Sequence, residues 1–206
     1  MILRSKIPLA TLLLSVSLLC GTVRAQDLAV HLDGDYLRVS LPHIDFLQGK
    51  PLNRLKDGGS VAFIGLVTIT STPTSLTPIA RSGARFALSY DILEEKFSVT
   101  KIGQTPDSRR SQSHLSAQAA ELWCLDNLGI DRSELPADRP FYVNLDLRIE
   151  DPKDQLGIIG DSGISITRMI DFLGRPSRGS QPRWLKSSGP YRLDDLKKFE
   201  IKGTRG

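Results

Sequence analysis

Residues 140–149 read PFYVNLDLRI, and apolar and polar side chains alternate along this stretch. The apolar set, which would point inward, comprises Phe141, Val143, Leu145, Leu147 and Ile149. The intervening polar set, which would face solvent, comprises Asn144, Asp146 and Arg148. Because successive side chains of a β-strand point to opposite faces, this alternation predicts a strand with one buried face.

Further patterns on both sides of this stretch predict an antiparallel fold. An alternating run at 28–32, an Asp33-Gly34 turn and a returning run at 36–41 indicate a hairpin. The other expected elements are a long strand at 61–70, a second hairpin at 85–92 and 97–102, short helices at 46–56, 114–128 and 164–173, and a strand at 183–186. Residues 71–84 and 103–112 are expected to be loops. This order of elements predicts an α+β, antiparallel-sheet, sandwich-like domain with two or three short helices.

The first 25 residues differ in character from the rest of the chain. Arg4 and Lys6 precede an uncharged run of apolar or small residues at 7–22, and Ala25 precedes a possible cleavage site at Gln26. These features are typical of a secretory signal peptide and predict an exported, periplasmic or extracellular protein. An uncleaved anchor is the alternative, although the apolar run is shorter than the roughly 20 residues of a membrane helix.

The predicted organisation is therefore a signal peptide at 1–25, a single domain at 26–195 and a charged C-terminal tail at 196–206. Once the signal is removed, no stable membrane span is expected. The leader holds three of the 27 basic residues and none of the 23 acids, so the mature chain has 24 basic and 23 acidic residues. This balance argues against a globally basic nucleic-acid-binding protein.

Cysteine usage limits the chemistry that the mature chain is expected to perform. Of the two cysteines, Cys20 lies in the leader and Cys124 in an apolar, helix-like stretch. One remaining cysteine cannot form an internal disulfide or a cysteine-based metal site. Cys124 is therefore expected to act as a small buried apolar residue. No sequence motif indicates a cofactor or a metal.

Residues 85–100, RFALSYDILEEKFSVT, carry a resemblance to a known family. The block resembles a hairpin of a family of uncharacterised exported bacterial proteins, with the pattern Arg-aromatic-x-Leu-Ser-Tyr, a leucine, then aromatic-x-Val-Ser/Thr. The order of predicted elements along the mature chain is also similar to that family. The resemblance implies export and this type of fold. It implies no activity and no functional residues, because the family has no established activity.

Two short motifs suggest hydrolytic enzymes but lack their partners. Gly160-Asp161-Ser162-Gly163 resembles the nucleophile segment of serine hydrolases, yet no histidine follows His114, and the protease setting of a histidine is absent. Asp161 or Ser162 is instead expected to cap the helix that follows. The Ser-x-x-Lys of residues 98–101 falls on a predicted strand, where Ser98 and Lys101 would point to opposite faces.

A group of carboxylates leaves a further enzymatic alternative open. These residues are Asp146, Glu150, Asp151, Asp154 and Asp161. Their oxygens could bind Ca²⁺, or two of them could act as an acid and base in hydrolysis. Their spacing fits no Ca²⁺ loop, and a solvated acidic loop is the competing interpretation.

The segment 174–193 has basic residues and no acid, and is the candidate binding segment. The candidate residues for binding an anion or a partner are Arg175, Arg178, Arg183, Trp184, Lys186 and Arg192. Such a local positive charge suits anionic groups such as lipid phosphates or cell-wall polymers. The alternative is a solvated loop packed by Trp184.

The leading hypothesis is an extracytoplasmic, non-enzymatic binding or accessory protein of the bacterial cell envelope. Its partner would be an envelope protein or an anionic envelope component, and nucleic acid is not expected. The alternative is an exported hydrolase with a carboxylate-based site. A concave site with two close carboxylates would favour the enzyme, whereas a broad apolar or basic patch would favour the binding protein.

Overall fold

The fold is seen in a computed structural model of the 206-residue chain. The structure describes residues 28–41, 44–150, 159–160, 163–175 and 182–196. The expected signal peptide and all but the first residue of the expected C-terminal tail lie outside these residues. Among the described residues, no helix is both long and apolar enough to cross a membrane.

The described residues form antiparallel sheets with short helices, which confirms the predicted α+β antiparallel class. The strands are β1 (Ala29–Asp33), β2 (Tyr36–Ser40), β3 (Val61–Thr70), β4 (Pro78–Asp91), β5 (Lys96–Ile102), β6 (Arg110–Leu115), β7 (Gly129–Asp131), β8 (Phe141–Ile149), β9 (Ile159–Gly160), β10 (Gly163–Ile164) and β11 (Arg183–Tyr191). The helices are α1 (Lys50–Lys56), α2 (Ala117–Asp126), α3 (Ile166–Gly174) and α4 (Leu193–Leu196).

One large sheet organises the fold. It has six strands in the order β11-β8-β3-β4-β5-β6, a second sheet has the order β1-β2-β7, and β9 and β10 form a separate pair. Strand β3 lies between β4 and β8 and pairs with both along most of its length. Its sequence, VAFIGLVTIT, is almost entirely buried, as expected for a central strand covered on two faces.

The two faces of the large sheet are buried by different elements. The face that we call the inner face packs against the small sheet, α1, α2 and α4 in one continuous apolar core. Phe63, Phe86 and Leu145 are among its fully buried members. The opposite, outer face is covered in part by α3, with Ile64 and Leu66 of β3 packed against Met169 and other apolar residues of the helix.

Strand β8 confirms the predicted alternation and corrects it at one residue. Phe141, Val143, Leu145 and Leu147 lie in the inner core, as expected. Arg148, which was expected to face solvent, is only 2% exposed. Its guanidinium Nη1 donates to the carbonyls of Phe172 and Arg175 at the end of α3, each at 2.9 Å. The outward side of this strand is buried because a helix covers it, which local alternation does not reveal.

The loop expected at 71–84 is wrong in its second half. Strand β4 begins at Pro78, and residues 78–84 pair with β3. Proline and glycine are normally signs of a loop, but Pro78 begins the strand, where a missing N–H is tolerated. A Cβ on Gly83 would lie 2.7 Å from Cε of Met169, so a larger residue here would require the flexible side chain of this α3 residue to move.

The structure also differs from the predicted polar loop at 103–112 and the predicted helix from residue 114. Residues 110–115 form the edge strand β6, which is exposed and polar and therefore has no apolar alternation to reveal it. His114 adopts a φ of 61°, and the helix starts after it. Ser116 is the cap: its Oγ accepts from the Ala119 amide at 3.2 Å.

The other two expected helices begin later than predicted. Helix α1 begins at Lys50 instead of residue 46, because the preceding residues 46 and 47 are extended and buried in the core. Helix α3 begins at Ile166, and Ser165 is its N-cap, accepting from the Arg168 amide at 3.4 Å. The expectation that Asp161 or Ser162 caps this helix is therefore wrong, because the intervening residues 163–164 form strand β10.

Candidate binding site

A half-open cavity lies between the segment 44–48 and the N-terminal half of α2. Its volume is about 280 Å³. Its lining residues, apolar and polar together, are Leu41, Ile44, Asp45, Leu47, Gln48, Ala117, Gln118, Glu121 and Leu122. The cavity is therefore formed by two parts of the chain that are about 75 residues apart in sequence.

The wall made by residues 44–48 is held in place from both sides. On the cavity side, Oε1 of Glu121 accepts from the Leu47 amide at 2.6 Å, in a buried contact. On the core side, the ring of Phe46 packs against Phe63 with centroids 4.5 Å apart, and against Trp184 at 6.0 Å. Since one hydrogen bond and one aromatic cluster act on neighbouring residues, this non-helical wall is positioned without secondary structure of its own.

The other wall is α2 itself, and polar contacts at both of its ends hold the helix in place. Ser116 caps the first turn, as described above. At the other end, Arg38 of β2 donates to the Asp126 carbonyl, and Lys101 of β5 donates to the Asn127 carbonyl at 2.7 Å. Cations at a helix C-terminus satisfy free carbonyls and interact favourably with the helix dipole. The last turn of α2 has no basic residue of its own, so the strands provide these cations.

Glu121 dominates the electrostatics of the cavity. The residue is only 5% exposed. Burial raises the pKa of its carboxyl, the amides of Leu47 and Phe46 act in the opposite direction, and Asp45 raises the pKa further. Within the described part of the chain, the lining therefore combines apolar side chains with the carboxyl groups of Asp45 and Glu121 and two carboxamides, and no basic residue is among them.

Cys124 lies one helical turn beyond Glu121 and is fully buried, which agrees with the expectation of a small apolar residue. Burial raises the pKa of its thiol well above the ordinary value, and Glu121 raises it further. A thiol in these surroundings stays protonated and has little nucleophilic character.

The structure divides the described basic candidates of β11 between the two sides of the large sheet. Side chains alternate along β11, so Trp184 and Lys186 lie on the inner side and Arg183 on the outer side. Arg183 forms a two-point ion pair with Asp146, with distances of 2.9 and 2.5 Å. Trp184 packs against Phe46 and Phe63.

The remaining candidates of this segment are Arg175, Arg178 and Arg192. Arg175 follows α3, and its carbonyl accepts from Arg148. Arg192 is exposed between β11 and α4. Arg178 lies outside the described residues. The anion- or partner-binding role of the basic segment therefore stays a prediction.

The two described carboxylates of the predicted acidic group are both paired with arginine. Asp146 binds Arg183, and Oε2 of Glu150 accepts from Nε of Arg85 at 2.7 Å in a buried pair. Asp151, Asp154, Asp161 and the candidate nucleophile Ser162 lie outside the described residues. Within the part of the chain that the structure describes, no group of three His, Cys, Asp or Glu side chains could hold a metal ion.

Sequence reasoning missed the cavity and both of its acids. The one available signal is Glu121 itself, which lies in the otherwise apolar run of residues 119–125, AAELWCL. A carboxylate within such a helical run is expected to have a specific partner. The sequence alone does not show that this partner is the Leu47 amide, 74 residues away.

Comparison of the chain with protein-family models, with curated proteins and with solved structures found no match. The resemblance of residues 85–100 to a family of exported proteins therefore stays a prediction.

Proposed function

We propose that this chain is an exported, non-enzymatic binding or accessory protein of the bacterial cell envelope, and that the cavity beside α2 is its binding site. The leader at 1–25 supports export. The cavity supports binding, because ligand sites are concave, mostly apolar and built around a few convergent polar groups.

The single observation that carries this proposal is how Glu121 is held. Its carboxylate accepts from a backbone amide on the opposite wall, so the polar group of the cavity also joins the two walls. The site is thus formed before a ligand arrives, and binding requires little ordering of the protein. In addition, Asp146 and Glu150 are each paired with arginine, which favours a structural role over a catalytic one for these acids.

Export is tested by expressing the full chain with a C-terminal tag in a bacterial host and separating the cell fractions. We expect the protein in the periplasm or the medium, with Gln26 as its first residue by N-terminal sequencing. An intact, unprocessed chain in the cytosol would contradict this part of the proposal.

Binding through the cavity is tested by recovering envelope partners with the tagged chain and with a variant whose cavity is filled. Ala117 lines the cavity, so Ala117→Phe should reduce recovery at least tenfold. Ala119→Phe is the matched control, since Ala119 lies on the same helix and does not line the cavity. Equal loss with both variants, or with neither, would argue against the cavity as the site.

A second candidate function is the exported hydrolase, and one observation favours it. Burial raises the pKa of Glu121 and the nearby Asp45 raises it further, and two close carboxyl groups in different surroundings are an arrangement that acid–base catalysis uses. The amide bond to Glu121 makes it less free to transfer a proton. Hydrolysis of a panel of glycosides and esters that is abolished by both Glu121→Gln and Asp45→Asn would select this function over binding.

A further inference from the structure

From the charge and shape of the cavity beside α2, we infer that it binds a primary ammonium group carried on a short alkyl chain. This inference rests on the proposed binding function and names the class of ligand. The ligand could be a free amine or a lysine side chain presented by a partner peptide, and the chemistry that the cavity recognises is the same in both.

The sign of the charge is the first step. Among the lining residues that the structure describes, the charged groups are Asp45 and Glu121, and none is a lysine, arginine or histidine. Arg38 and Lys101, which contact α2, bind carbonyls at its far end and do not line the cavity. Both carboxyl groups attract a cation and repel an anion, so a cation is favoured and an anion is disfavoured.

The type of cation follows from the polar atoms. An ammonium group has three donors and no acceptor. The carboxylates of Asp45 and Glu121 and the side-chain oxygens of Gln48 and Gln118 offer acceptors around the cavity. A quaternary ammonium has no N–H donor and is recognised by aromatic faces, and none of the described residues that line this cavity is aromatic.

The rest of the ligand follows from the walls and the volume. Apolar side chains from both walls, Leu41, Ile44, Leu47 and Leu122, surround the polar groups. These residues would cover methylene groups, which gain free energy when they leave water. A volume of about 280 Å³ lies just below the range of drug-sized pockets, so a chain of about four to six carbons is the appropriate size.

The inference is tested by calorimetric titration of the processed, full-length chain at neutral pH. The probes are n-pentylamine, 1-pentanol, pentanoate and an acetylated, amidated peptide with one central lysine. We expect at least one of the two ammonium probes to bind at least tenfold more tightly than pentanol, and pentanoate not to bind. A stronger signal for pentylamine would indicate a free amine, and a stronger signal for the peptide would indicate a partner's lysine.

Two variants locate the binding and separate it from folding. Glu121→Gln keeps an oxygen that can accept from the Leu47 amide, and Asp45→Asn changes an exposed residue. Each should weaken ammonium binding at least tenfold with an unchanged circular dichroism spectrum. Asp138→Asn, at an exposed acid outside the cavity, should leave binding unchanged.

The outcomes separate this inference from the proposed function. If pentanol binds as tightly as the ammonium probes, or if Asp45→Asn and Glu121→Gln both bind as the natural chain does, the ammonium inference is wrong. The cavity could still be the binding site in that case, provided that Ala117→Phe loses envelope partners and Ala119→Phe keeps them. If the ammonium probes bind but no envelope partner is recovered, the inference stands and the accessory role does not.

Discussion

The inner and outer faces of the six-stranded sheet are buried by different chemistry. On the inner face, one apolar core joins the sheet to the small sheet and to α1, α2 and α4. On the outer face, the apolar cluster under α3 is small, and the buried charged side chains Arg85, Arg148 and Glu150 lie on the same side. A single sheet can therefore hold one layer through a large apolar contact area and another through a few specific polar contacts.

The polar contacts of the outer face explain how a short helix can be attached there. Arg148 binds two carbonyls at the end of α3, and its guanidinium lies 4.5 Å from the centre of the Phe172 ring. A cation at a helix C-terminus stabilises both the free carbonyls and the helix dipole. The stability of the outer layer therefore depends on how these charged groups are placed, because charged groups are tolerated inside a protein only while their partners stay in place.

The largest effect is expected from breaking the buried pair of the outer face. Arg85→Met leaves the buried Glu150 without its arginine, which should lower the free energy of unfolding by about 3–5 kcal/mol. The measurement is urea denaturation followed by circular dichroism. Arg85→Met combined with Glu150→Leu should recover most of the loss, since apolar replacements of a buried pair are often neutral. A double variant as unstable as the single one would contradict the claim that the outer face depends on specific pairs of buried charges.

A slightly smaller effect is expected on the inner face. Leu145 is 1% exposed within the apolar core, and Leu145→Ala should lower the free energy of unfolding by about 3 kcal/mol through lost burial and a residual cavity. Leu185→Ala, at a residue of β11 that is 62% exposed, is the control and should change stability by less than about 0.5 kcal/mol. Equal effects of the two leucines in urea denaturation would contradict the burial of Leu145 in the inner core.

Removal of each helix cap should distinguish the two layers, with an effect of about 1 kcal/mol on the free energy of unfolding at the inner one. Ser116→Ala removes the cap of α2, which is part of the inner core, and should lower the global free energy of unfolding by about 1 kcal/mol. Ser165→Ala removes the cap of α3 and should act mainly through local opening of the outer layer. Hydrogen exchange is the measurement, and we expect faster exchange confined to α3 in the second variant. Faster exchange throughout the sheet in that variant would mean that α3 unfolds only with the whole domain.

The smallest effect is expected from the titration of Glu121, which faces Asp45 in the cavity and lies near Cys124. The pKa of Glu121 is raised in the folded state, so the native protein binds this proton more tightly than the unfolded chain does. Its contribution to stability is therefore fully present below the ordinary value of 4.5 and is lost as pH rises through the folded pKa. Urea midpoints of the natural chain, relative to those of Glu121→Gln, should fall as pH rises through this window. A difference that is constant with pH would contradict the raised pKa.

The elements that could be predicted from the sequence are those with a strong local pattern. The hairpin of β1 and β2 was predicted from the Asp33-Gly34 pair; the two-residue turn is Gly34-Asp35, and Gly34 has a positive φ of 57°, which glycine adopts readily. Strand β3 was predicted at its observed bounds from its β-branched residues. Strand β6 and the first half of β4 were missed, because polar, proline- or glycine-containing segments become strands only when a neighbouring strand pairs with them.

The candidate site could not be predicted to the same extent. The basic segment is visible as a run of charge, but the alternation of β11 divides its side chains between the two faces of the sheet, and Asp146 pairs with Arg183. The cavity leaves almost no local signal. Its two walls come from separate parts of the chain. The acids that line it, Asp45 and Glu121, are 76 positions apart in the sequence.

The sequence by itself determined the strand alternation of β8, the hairpins and the antiparallel α+β class, because these depend on side chains a few residues apart. Tertiary structure alone decided the order of the strands, the burial of Arg148 under α3 and the cavity closed by Glu121 and Leu47. The physical reason is the distance along the chain over which each kind of signal acts. A periodic pattern of burial is encoded residue by residue, whereas the partner of a buried charge is selected only when distant segments pack together and exclude water.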